Sequence, residues 1–114
     1  MSRDLLLLLE PGFTDSAHPG ERFVCPHSVA IEGLLASDPV RIARLDVKHI
    51  PFLRPRRDVI AALDDEHQGL PVLVLGSEHP VPEDAQTLGD KRFVTDTKRI
   101  LALLAERHGF PKIH

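Results

Sequence analysis

Hydrophobic residues along the chain fall into short runs whose spacing changes from one to the next. Asp4 is followed by five consecutive leucines, Leu5 to Leu9, with no polar alternation. A segment apolar on both sides needs both faces covered, which predicts a central strand sandwiched between helices. Glu10 to Val24 carries Pro11, Gly12, Pro19 and Gly20 among polar residues and reads as a long ordered loop. Cys25-Pro26 then opens a helix. Proline suits the first helical position, and Val29, Ile31, Leu34 and Leu35 supply an apolar face until Ser37-Asp38-Pro39 stops it. Gly33 inside this helix suggests close packing.

Leu45 to Ile50 alternates apolar and polar residues at its start, so a second strand is expected there, half exposed or near an edge and ended by Pro51. Pro55 again fits a helix start, with Val59, Ile60 and Leu63 at helical spacing before Asp64, Asp65 and Gly69. Pro71 to Leu75 reads as a third, buried strand and Lys91 to Val94 as a short fourth. Between them, the acidic and proline-bearing stretch Gly76 to Asp90 reads as a mobile loop. The last helix starts near Asp96 or Thr97, turns Ile100, Leu101, Leu104 and Ala105 inward, and ends at Gly109 with Pro111 beyond. The order is β-α-β-α-β-β-α, an α/β fold with a four-stranded mixed sheet flanked by helices. The first two strands are parallel through a right-handed crossover, and the last two are antiparallel.

Composition narrows this further. A chain of 114 residues, 42% hydrophobic and 27% charged, is one domain over residues 1–114, large enough for a core without disulfides. Fourteen Lys and Arg against seventeen Asp and Glu give 14 − 17 = −3, with no basic block and neither Trp nor Tyr, which disfavours nucleic acid as a partner. The run Leu5 to Leu9 is too short for a membrane span or a signal-peptide core, so no membrane association and a cytoplasmic location are expected. A single cysteine, Cys25, excludes an internal disulfide and the Cys-rich zinc spacings. His18, Cys25 and His27 are the one grouping that suggests a metal; they lack a fourth ligand, and no metal is expected.

The chemistry therefore centres on Cys25. A sulfur just before Pro26 lies at a helix N-terminus, where unpaired N–H groups and the macrodipole favour an anion, and the thiolate is the reactive form of cysteine. His27 adds positive charge nearby when protonated. Ser28 either donates its hydroxyl to the thiolate or caps the first turn. Arg54, Arg56 and Arg57 cluster at the start of the second helix, an end unfavourable for cations; they are solvated surface arginines or the mark of an anionic partner.

Cys25-Pro26-His27-Ser28 directly after the first strand and its loop, Leu70-Pro71 before the third strand, and Asp96-Thr97-Lys98-Arg99-Ile100 opening the last helix together resemble a thioredoxin-like domain of the glutaredoxin and glutathione-transferase N-domain type. Nearly the whole chain is similar to a small bacterial thioredoxin-like family of unknown function, often written with Cys-Pro-His-Cys at this site. The resemblance implies a cis-proline at Pro71 that exposes the Leu70 backbone to an extended peptide such as glutathione. It further implies that Asp96 and Thr97 meet the γ-glutamyl end of that tripeptide, unless they serve only as a helix cap, and that Arg57 lies where its glycine carboxylate binds. The Pro-His pair also occurs between the cysteines of strongly oxidising bacterial disulfide oxidoreductases, which implies an acidified thiol.

Ser28 stands where a resolving cysteine would be, so a redox role for Cys25 is monothiol and draws on glutathione or a protein thiol or disulfide as partner. The expected function is a glutathione-linked thiol–disulfide oxidoreductase or thiol transferase. The alternatives are a noncatalytic binding module, whose recognition would sit in the loops 10–24 and 76–90, and iron–sulfur delivery as in monothiol glutaredoxins.

Overall fold

The structure, a computed structural model, describes residues 2–114. Its strands are β1 (Leu5–Leu9), β2 (Asp46–Ile50), β3 (Val72–Val74), β4 (Gln86–Leu88) and β5 (Lys91–Val94), and its α-helices are α1 (Pro26–Ser37), α2 (Arg57–Ala62) and α3 (Thr97–His108). The strands form one mixed sheet in the order β2-β1-β3-β5-β4. β1 pairs parallel with β2, and every other neighbouring pair is antiparallel.

The leucine run behaves as its lack of alternation requires. Leu6 and Leu8 pack with Ile31, Leu34 and Leu35 of α1 and Ile100 and Leu104 of α3, whereas Leu7 points the other way into Ile50, Val59, Val72 and Phe93 beneath α2. All three leucines are fully buried, each contributing about 1.5–3 kcal/mol relative to exposure. Helix ends follow local chemistry as well. Pro26 occupies the first turn of α1, the Asp96 carboxylate accepts from the Arg99 N–H at 2.9 Å to cap α3, and Gly109 (φ 78°) closes α3 in the left-handed conformation with its N–H on the Ala105 carbonyl.

Four expectations are corrected. The sheet has five strands among the described residues, because the stretch read as a mobile loop contains β4. Gly89 (φ 60°) and Asp90 turn β4 into β5 with glycine in the first central position of a two-residue hairpin. Pro55 does not start a helix: the Arg54–Pro55 peptide is cis, Arg56 is the N-cap, and α2 begins at Arg57. Pro39–Arg44 forms a 3-10 helix where only a helix stop was expected. Gly33 is not a close-packing site, since a Cβ there would meet nothing within 4 Å.

Register sorts the connections onto two ends of the sheet. Leu9 lies beside Ile50, Leu7 opposite Val72, and Leu73 opposite Val94. The segments leaving β1, β2 and β5 and the one entering β3 therefore share one end. At the other end the Asp4 carboxylate is buried and accepts from Arg107 Nε and Nη2, from the Gly76 N–H (each 2.7 Å) and from His108 Nε2 at 2.8 Å. Burial opposes ionisation of Asp4, but the hydrogen bonds from His108, Arg107 and Gly76 outweigh it and hold the carboxyl well below the usual carboxylate range. Arg107 also donates to the Pro80 and Gly76 carbonyls, so this cluster ties β1, α3 and the segment after β3 together.

Candidate functional site

Cys25 caps α1. Its backbone is extended (φ −76°, ψ 122°), and its Sγ accepts the Ser28 N–H at 3.5 Å, within range for the large sulfur atom. The thiol is half-buried, and the exposed side chains of Val24 and Val29 flank it. Cys25, Ser28, Leu9, Pro11 and Val29 line a small cleft of about 40 Å³, bordered by Glu32, whose carboxylate pairs with His49 Nε2 at 2.9 Å. The Ser28 amide aimed at the sulfur and the open mouth of the cleft leave Cys25 reachable from solvent.

Ser28 does something different from either expectation. Its side chain is buried, and its hydroxyl accepts the Leu9 N–H at 3.1 Å. That bond satisfies a backbone donor at the end of β1 and fixes the first turn of α1 against the strand. Ser28 thus serves Cys25 through its backbone N–H and serves the fold through its side chain. His27 is exposed on the same turn.

The arginine cluster separates into different roles. Arg56 is buried; it donates to the Phe52 carbonyl through Nε (3.1 Å) and Nη2 (2.8 Å) and to the Gln68 carbonyl through Nη1 (2.9 Å), with its guanidinium over the Phe52 ring. Burial and then the like charge of Arg54 push Arg56 below the ordinary arginine value. Phe52 in turn stacks on Phe13, with ring centroids 4.4 Å apart, and Phe13 bridges Phe23 across the long loop. One cation therefore pins the segment before α2 to the segment leading into β3, and the aromatic pair holds loop 10–24 beside them. Charge count alone could not single out Arg56 from Arg54 and the exposed Arg57.

The remaining predicted residues gather by topology. The Leu70–Pro71 peptide is cis and enters β3, Asp96 and Thr97 follow β5, and Arg57 follows β2, all at the end of the sheet that carries Cys25. Pro71 is buried, whereas Arg57 and Asp96 are exposed. Asp96 acts as the cap of α3, and no hydrogen bond links Leu70, Asp96, Thr97 or Arg57 to Cys25 among the described residues. Among the same residues no three His, Cys, Asp or Glu side chains are grouped to hold a metal ion, and no helix is long and apolar enough to cross a membrane.

A model of a family described as a protein of unknown function (DUF3088) matches residues 3–112. No curated protein and no solved structure matches the chain.

Proposed function

The chain belongs to the DUF3088 family, whose description assigns no activity, and on the geometry of Cys25 we propose that it is a glutathione-linked monothiol protein with a thioredoxin-like fold. The observation that carries this reading is the Cys25 Sγ at the cap of α1, accepting the Ser28 N–H in a half-buried, apolar-flanked position. The fold reading is supported by the parallel β1-α1-β2 unit and the antiparallel β3 and β5 followed by α3, with β4 as an added edge strand.

In the reaction, the Cys25 thiolate attacks one sulfur of a disulfide. An Sγ–S bond forms as the substrate S–S bond breaks, and the electron pair departs on the other sulfur, with His27 as its candidate proton donor. A glutathione thiolate then attacks the outer sulfur of the mixed disulfide, leaving as a new mixed disulfide and returning Cys25 as thiolate. Ser28 holds no second sulfur, so resolution comes from outside the chain. Leu70 and Pro71 would pair the tripeptide backbone, Asp96 and Thr97 would meet its γ-glutamyl end, and Arg57 its glycine carboxylate.

A second reading, a noncatalytic binding module, draws on the Phe13–Phe52 stack that organises loop 10–24 as a surface beside the thiol. Calorimetry with reduced glutathione and timed alkylation by iodoacetamide separate the two. Glutathione that binds and slows alkylation of Cys25 supports the thiol reading. An absence of binding together with alkylation no faster than that of free cysteine refutes it.

A further inference from the structure

α2 has six residues, about 9 Å of helix at 1.5 Å per residue, whereas β1 and β2 have five each and run about 16 Å. The short helix therefore covers only the part of its sheet face that carries Leu7, Ile50, Val72 and Phe93. Beyond it, Leu5 and Val74 lie opposite each other across β1 and β3, half-buried. They form the apolar floor of an open cleft of about 690 Å³, walled by Ala62. A volume of this order falls within the range that small molecules occupy.

Charge at the rim is one-sided. Lys48 pairs in register with Leu7 and so projects from the same face, and Lys91 shares that face with Phe93 two residues on; both line the cleft, with β1 and β3 between them. Lys91 rests its Nζ on the Leu63 carbonyl at 3.2 Å, and the Lys48 ammonium has no hydrogen bond or ion pair among the described residues. Arg3 and Asp46, also at the rim, pair with each other at 3.7 Å and cancel. Two unmatched positive charges thus flank an apolar shelf on a chain of net charge −3, which favours an anion here against the overall field of the protein.

We propose that this cleft is a binding site for a small amphipathic carboxylate, its hydrocarbon body lying on Leu5 and Val74 and its head at Lys48, with Lys91 adding positive potential from the far side of the shelf. The site is at the opposite end of the sheet from Cys25, so it stands or falls independently of the thiol chemistry.

Titration of the isotope-labelled full chain with decanoate tests it by amide chemical shifts. The expected shifts fall on Leu5, Val47, Val74 and Lys91, decyltrimethylammonium fails to reproduce them, and Cys25→Ser leaves them intact. Lys48→Glu weakens decanoate binding about fivefold to tenfold with an unchanged melting temperature, because that side chain is exposed and unpaired. Lys91→Gln weakens it in the same direction. Three results would overturn the proposal: shifts confined to the α3 face near Ile113, equal binding of the cationic analogue, or Lys48→Glu binding like wild type. Shifts at these amides that grow with protein concentration alone would also overturn it, since a second copy would then cover the shelf.

Discussion

Arg107 grips Asp4 in a two-pronged ion pair, Nε to Oδ2 and Nη2 to Oδ1 at 2.7 Å each, joining residues 103 apart in the chain. Both side chains are almost wholly inaccessible, and His108 completes the carboxylate from the same helix. Removing the negative charge leaves a buried guanidinium uncompensated, so Asp4→Asn is expected to cost about 3–5 kcal/mol, read from urea unfolding at pH 7. The sign of the pH dependence follows from the depressed carboxyl. Its contribution is fully present above the unfolded aspartate value of about 3.9 and drains away as pH falls from there toward the folded value. The stability gap between wild type and Asp4→Asn should accordingly narrow in acid; a gap that stays constant from pH 7 to pH 3 contradicts this account.

Gly76 is where the backbone passes closest to the start of the chain. A Cβ there would collide with the Ser2 and Arg3 backbone, and the Gly76 N–H is one of the Asp4 donors. Gly76→Ala is therefore expected to destabilise by about 1–3 kcal/mol. Ser77→Ala, which loses only the exposed hydrogen bonds of its hydroxyl to the Ser2 N–H and Oγ, should remain within about 0.5 kcal/mol of wild type. Equal unfolding midpoints for the two variants would refute the close-approach argument.

Ser28 offers a way to separate structure from chemistry. Alanine at this position strands the buried Leu9 N–H, at an expected cost of about 1–3 kcal/mol. The Ser28 N–H to Cys25 Sγ bond is backbone and survives the change. Alkylation of Cys25 in Ser28→Ala should thus stay within about twofold of wild type, a barrier change under about 0.5 kcal/mol. A large loss of thiol reactivity without a loss of stability would instead assign the hydroxyl to the thiol.

What the chain discloses before folding depends on how local the signal is. The burial of Leu5–Leu9 on two faces, the proline and cysteine that open α1, and the Asp96 and Gly109 caps of α3 are each written within a few adjacent residues. β4 is not marked by pattern, because Gln86-Thr87-Leu88 shows no apolar alternation, although Gly89-Asp90 is a hairpin signal in its own right. The Asp4–Arg107–His108 cluster could not be read from pattern at all. Its members look like solvated charges at the ends of elements, and only tertiary closure buries them together. At the candidate site, Cys25 was legible from its place between strand and helix. The anchoring of Arg56 rather than Arg57 was not, because a shift of one position decides which guanidinium reaches the Phe52 and Gln68 carbonyls.

The central claim, that Cys25 is a nucleophile completing its cycle with an external thiol, is tested most directly by intact-mass analysis after exposure to glutathione disulfide and then to reduced glutathione. The account predicts one glutathionyl group per chain in the first step, absent from Cys25→Ser, and its quantitative removal in the second. A wild-type chain that stays unmodified under conditions where free cysteine exchanges would contradict it.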